Sequence, residues 1–102
     1  MTETSQPNNL FAAFLELRTE DEVERFCKDL MTPQEIDTFT GRWEAARQLN
    51  EGKPQRAVSA DTGISITTVT RVNRFLNRGF DGYKLVLDRL SHHHTTAMAG
   101  SR

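Results

Sequence analysis

The chain has 102 residues, 36% of them hydrophobic, and thirteen Lys and Arg against fourteen Asp and Glu give a net charge of −1. That length holds one domain rather than two, and so small an apolar fraction supports only a thin core that a partner subunit would thicken. No apolar run is long enough to span a membrane, "MTETSQPNN" has neither the basic start nor the apolar centre of a signal peptide, and the single cysteine, Cys27, allows no intrachain disulfide and fits a reducing cytoplasm.

Residues 1–7 are polar and are expected to form a disordered arm ahead of a domain over 8–90. Leu10, Phe14 and Leu17 share one helical face, which predicts a first helix over 8–18. Thr19 followed by "EDE" opens a second helix, with its acids in the positive first turn. Val23, Phe26, Cys27 and Leu30 then keep the apolar spacing to its end. "TPQE" at 32–35 supplies a cap, a first-turn proline and the glutamate of a capping box. The helix it opens turns Ile36, Phe39, Trp43, Ala46 and Leu49 inward and stops near Gly52. Gly41 inside it either lets another backbone approach closely or is a tolerated surface glycine. After Lys53-Pro54 come a short helix at 55–62, a longer one from Ile66 to Asn77, and a turn at "RGFDGYK". Tyr83, Val86, Leu87 and Leu90 mark a last amphipathic helix, and "SHHHTTAMAGSR" lacks periodicity, so 91–102 is expected to be a flexible tail. Every ordered segment is helical in pattern, so the fold class is all-α with six helices.

The charge is unevenly placed. Residues 1–40 carry nine acids against three bases, a balance of −6, whereas residues 53–80 carry five bases against one acid, a balance of +4. Such asymmetry suggests a basic face on an acidic body, although two ordinary solvated helix faces would look the same.

The stretch "QRAVSADTGISITTVTRVNR" at 55–74 fits two helices joined by a sharp turn. Ser59, with Ala57 and Ala60, is small enough for a close crossing, Gly63 tolerates a positive φ, and Ser65 can cap the second helix. Ile64, Val69 and Val72 have the spacing of inward anchors. Ile66, Thr67, Thr70, Arg71 and Arg74 are left outward. Short side chains at the start of such a helix let it enter the major groove, where methyls meet thymine methyls, threonine hydroxyls reach base edges and arginines further along meet phosphates. Helix pairs of this shape also serve as protein-interaction elements, so a module that grips polymerase or another regulator is the alternative.

"TPQE", Arg42 in mid-helix, "LNEG" and "TGISITTVTR" together resemble the tryptophan repressor superfamily over roughly residues 8–90, and "NRGFDGYKLVLDRL" resembles its YerC/YecD-like branch. The resemblance implies an intertwined homodimer whose N-terminal helices build a shared core, with Leu10, Phe14, Leu17, Phe26, Trp43, Val86 and Leu90 packing partly across the boundary. It places Arg56, Ile66, Thr67 and Thr70 among the DNA-facing positions and Gln55 and Thr68 near the DNA backbone. Lys53, Arg74 and Arg78 are candidate phosphate contacts on charge alone, with solvated surface as the competing reading. The superfamily's tryptophan pocket is matched by Thr32, Arg42 and Arg71, the arginines being those that sandwich the indole. It is broken by Val72, where the repressor has glycine, and by Phe75, where it has the serine that helps bind the amino group. Two bulky apolar groups would crowd the ring and remove a polar partner for a charged amine. The expectation is therefore a vestigial effector pocket that does not take tryptophan.

Cys27 and the adjacent His92–His94 lack the spacing of metal ligands, and neither a phosphate loop nor a nucleophile–base pair is visible. The sequence thus assigns no catalytic residue, metal or cofactor and no particular effector. Its partners are expected to be double-stranded DNA and a second copy of the chain, and no membrane. The resulting expectation is a cytoplasmic bacterial transcription regulator, a repressor that binds a palindromic operator as a homodimer.

Overall fold

The computed structural model describes the backbone of residues 9–100 and side chains as far as His92. The arm expected at 1–7 lies outside the described residues. Among the described residues there are six helices: α1 (Leu10–Leu15), α2 (Glu20–Leu30), α3 (Pro33–Asn50), α4 (Gln55–Thr62), α5 (Ile66–Arg78) and α6 (Gly82–Gly100). No strand occurs among the described residues, in agreement with the all-α expectation. The chain forms two compact units, Met1–Asp37 and Thr38–Arg102.

In the first unit local capping decides where each helix starts. The Asn9 side chain accepts from the Ala12 amide at 2.9 Å and opens α1. The helix ends at Leu15, earlier than the predicted 18, because the following residues serve the next cap. Thr19 Oγ1 accepts from the Glu22 amide at 3.1 Å, and Glu22 reaches back to the Arg18 amide at 2.8 Å. Phe14 and Phe26 meet edge to face with ring centroids 5.2 Å apart. The predicted capping box before α3 is formed in both directions: Thr32 Oγ1 accepts from the Glu35 amide at 3.1 Å, and Glu35 accepts from the Thr32 amide at 2.9 Å.

The second unit holds the core. Ala45 and Ala46 of α3, Val58 of α4, and Val69 and Val72 of α5 are fully or almost fully buried, with Trp43, Leu49, Ile64 and Tyr83 packed around them. Two expectations for α3 need correction: Phe39 is 45% exposed, and Ala45, which was not expected inside, is buried. Alanines on this face let α4 and α5 come close. Gly41 extends the same logic, since a Cβ there would lie 3.0 Å from Ile64 Cγ2. The glycine admits a close neighbour, although that neighbour is a side chain and not a backbone.

α6 also departs from expectation. It continues as helix to Gly100, where the sequence pattern ends it near Leu90 and leaves a tail. No proline or glycine falls between Gly82 and Gly100, so nothing in the chain stops the helix. Loss of apolar periodicity is not a stop signal. Among the described residues no helix is long and apolar enough to cross a membrane.

Gly63 closes α4 with φ of +77°, and nothing lies within 4 Å of where its Cβ would be. The strain of a side chain there is therefore purely torsional. Gly63→Ala is expected to lower unfolding stability by about 1–2 kcal/mol, measured as a reduced midpoint in urea with an unchanged slope.

Candidate nucleic-acid interface

The turn between α4 and α5 satisfies its polar groups locally. The Gly63 amide donates to the Ser59 carbonyl at 2.9 Å, and the Ser59 hydroxyl donates to the Ile64 carbonyl at 2.7 Å. Thr62 Oγ1 donates to the Val58 carbonyl at 2.7 Å and accepts from the Ile64 amide at 3.3 Å. Ser65 caps α5, its hydroxyl accepting from the Thr68 amide at 3.1 Å. Gly63, Ser65, Val69 and Val72 thus take their expected places, and Ile64 is half-buried. Ser59 contributes a hydrogen bond as well as small size, and Ala60 is exposed rather than at a crossing. Val58 and Leu76 are buried in addition to the expected anchors; Leu76 follows Val72 by four residues and Val69 by seven, so it continues their stripe.

With Val69, Val72 and Leu76 facing in, the opposite side of α5 is fixed. Ile66, Thr67, Thr70, Arg71 and Arg74 are all exposed and together line a shallow hollow on that face. Gln55 is the first residue of α4 and is half-buried; its Oε1 accepts from the Thr70 hydroxyl at 2.8 Å. Arg56 beside it is exposed. Thr68 is half-buried, and its hydroxyl oxygen accepts from Ser65 at 3.0 Å. Lys53 is engaged within the protein, with Nζ 2.9 Å from Asp61 Oδ2 and 3.4 Å from Gln48 Oε1. The hydrogen bond to Asp61 holds its ammonium pKa above the ordinary lysine value. Arg74 and Arg78 remain exposed.

A cleft of about 240 Å³ lies behind this face, lined by Arg42, Arg71, Val72, Phe75, Phe80 and Tyr83. The structure therefore gathers Arg42, Arg71, Val72 and Phe75 of the five expected pocket residues. Thr32 belongs to the first unit, where it caps α3. Phe80 and Tyr83 were not anticipated. The Arg71 guanidinium carbon is 4.6 Å from the centroid of the Phe75 ring, and that of Arg74 is 5.5 Å from it. Arg42 lies over Phe39 at 5.6 Å, and its Nε is buried without a hydrogen-bond partner. Among the described residues no group of three or more His, Cys, Asp and Glu could hold a metal ion. His93 and His94 lie beyond the described side chains.

Comparison with known proteins adds to this geometry. The family profile described as "Trp repressor protein" matches residues 5–91. The chain belongs to the Trp repressor family. Its relatives include the uncharacterized protein YerC of Bacillus subtilis (strain 168), 41% identical over 83 residues, which cover 81% of this chain and 80% of YerC. The crystal structure of a TrpR like protein from Eubacterium eligens ATCC 27750 superposes with a TM-score of 0.76 at 41% identity, over 80% of this chain and 84% of that one. A second solved structure, from Staphylococcus aureus, has the same TM-score at 34% identity, over 80% and 82% of the two chains. This Trp repressor-family chain is thus a helix-turn-helix protein, with α4 and α5 as the helix pair.

Ser65 is the cap on which the start of α5 depends. Ser65→Ala should cost about 1 kcal/mol of stability, seen as a lower Tm by calorimetry. Ser65→Asp should preserve it, because a carboxylate caps as well as a hydroxyl.

Proposed function

We propose that this chain is a sequence-specific DNA-binding transcription regulator, a bacterial cytoplasmic repressor that binds a palindromic operator as a homodimer and does not use tryptophan as co-repressor. The observation that carries the reading is the exposed face of α5. It begins with uncharged Ile66, Thr67 and Thr70 and continues into Arg71 and Arg74, while the opposite face is anchored by buried Val69, Val72 and Leu76. A slim apolar and hydroxyl tip suits base edges in the major groove, and the guanidiniums beyond it suit phosphates. Gln55 and Thr68 flank the tip and are assigned to the DNA backbone, and exposed Arg56 is assigned to the DNA-facing set with the tip.

The homodimer is favoured by apolar surface. Phe11 and Leu15 in the first unit are 79% and 85% exposed, and Phe80 in the second is 93% exposed. Val86 and Leu90 are about half exposed. Exposed apolar side chains of this size within each unit support association with a second copy of the chain. Two copies would present two reading helices and so require a site with matching half-sites.

Loss of tryptophan dependence is favoured by Phe75. Its ring lies beneath the Arg71 guanidinium, taking the stacking partner that an indole would need, and Val72 is packed solidly beside it. Calorimetric titration with L-tryptophan should therefore give no saturable heat; micromolar binding would overturn this part of the reading. If each protomer neutralises about three to five phosphates, affinity for the preferred duplex should fall roughly 10³–10⁵-fold between about 50 and 200 mM salt. Arg56→Ala should weaken binding, and a flat salt response would show that the basic face is not a DNA surface.

A further inference from the structure

The hydrogen bond from Thr70 to Gln55 links side chains fifteen residues apart, one on each helix of the pair. It constrains both. Thr70's hydroxyl proton is committed to Gln55 Oε1 at 2.8 Å, so it is no longer available to donate to a base acceptor such as N7 or O6 of guanine. The same bond pins the Thr70 side chain in one staggered position and leaves its methyl as the free group. Thr70 stands one helical turn beyond Ile66, which is 45% exposed, and both line the hollow on the outer face of α5. Together they offer apolar surface of the kind that meets a thymine methyl.

Gln55 is constrained in the complementary sense. Its oxygen is occupied by Thr70, which leaves the amide nitrogen with two donors. It sits at the first position of α4, where Pro54 is the N-cap and no side chain serves the first-turn amides. Donors of the side chain and of the helix start are therefore presented together, an arrangement suited to a phosphate oxygen.

We propose that Thr70 and Gln55 act as one recognition unit, in which the Thr70 hydroxyl holds the Gln55 amide against a phosphate while the Thr70 methyl, not its hydroxyl, reads a thymine methyl. The inference rests on the DNA-binding reading above. It assigns the two ends of one threonine to different tasks: the oxygen to sequence-independent affinity, and the carbon to discrimination.

The test begins with the duplex that the wild-type protein selects from a random pool. Binding is then measured at one fixed salt concentration for wild type, Thr70→Ser, Thr70→Val, Gln55→Ala and the Thr70→Val/Gln55→Ala double variant. The probes are the selected duplex, a scrambled duplex, and selected duplexes in which each thymine in turn is replaced by deoxyuridine, which lacks the methyl. One symmetry-related thymine position should weaken wild type and Thr70→Val about fourfold per half-site when replaced, the value of one buried methyl. Thr70→Ser should bind that probe and the selected duplex equally. Thr70→Val and Gln55→Ala should each weaken selected and scrambled duplexes by the same factor, about three- to tenfold, and the double variant should be no weaker than either. Persistence of the deoxyuridine penalty in Thr70→Ser, or multiplicative losses in the double variant, would overturn the inference alone. A wild-type protein that selects no sequence overturns the DNA-binding reading and the inference with it.

Discussion

Three valines and two alanines set the geometry on which the rest of the second unit depends. Val58 from α4 and Val69 and Val72 from α5 are buried against Ala45 and Ala46 of α3, and each valine contributes roughly 1.5–3 kcal/mol relative to exposure. The alanines matter as much as the valines, because their short side chains let two helices approach a third at once. This packing also fixes the rotation of α5 about its own axis. Turning the helix by one residue would carry Thr70 and Arg71 toward the core, where an unpaired hydroxyl and an unpaired guanidinium are costly to bury. The outward set is thus determined by the inward one. Ile66, Thr67, Thr70, Arg71 and Arg74 are exposed because no other rotation of α5 buries its valines.

The turn converts that packing into a presented edge. Ser59, Thr62, Gly63 and Ser65 satisfy the backbone groups between α4 and α5 through bonds of 2.7–3.3 Å made within the turn itself. None of these residues is charged, and none needs a distant partner. α5 therefore begins on a rigid, uncharged corner, and its first residues project without bulk ahead of them. A charged or flexible linker would have served packing equally well but would have blurred the angle between the helices.

The parts of this arrangement that depend on neighbours in sequence were legible from the sequence. Thr19, Thr32 and Ser65 announce helix starts, Gly63 announces the left-handed turn, and Val69 and Val72 announce a buried face, because each acts within one or two helical turns. The parts that depend on how helices cross were not legible. Lys53 pairs with Asp61 across the length of α4, a contact that charge and spacing alone do not reveal. The Thr70–Gln55 bond spans two elements, and no spacing rule predicts it. Ala45 lies off the stripe of Ile36, Phe39, Trp43, Ala46 and Leu49, and only the crossing of other helices over α3 buries it. The extension of α6 is hidden for a different reason: it has no apolar stripe, and helix formation does not require one.

On the proposed reading, Phe75 changes what the cleft can hold while leaving its arginine walls in place. Arg42 and Arg71 still line it, but the Phe75 ring now meets Arg71 at 4.6 Å and Arg74 at 5.5 Å. A guanidinium stacked on an aromatic ring loses rotamer freedom before any partner arrives, so less entropy remains to be lost when it meets a phosphate. On the proposed reading, the ring supplies from within the chain the ordering of α5 that a bound aromatic ligand would otherwise supply. The buried, unpartnered Nε of Arg42 fits this view. A cleft shaped around a polar ligand group would leave such a donor behind once an apolar side chain had taken over the ligand's packing, and a donor that is lost to solvent without gaining a bond is a cost the fold carries rather than a contact it uses.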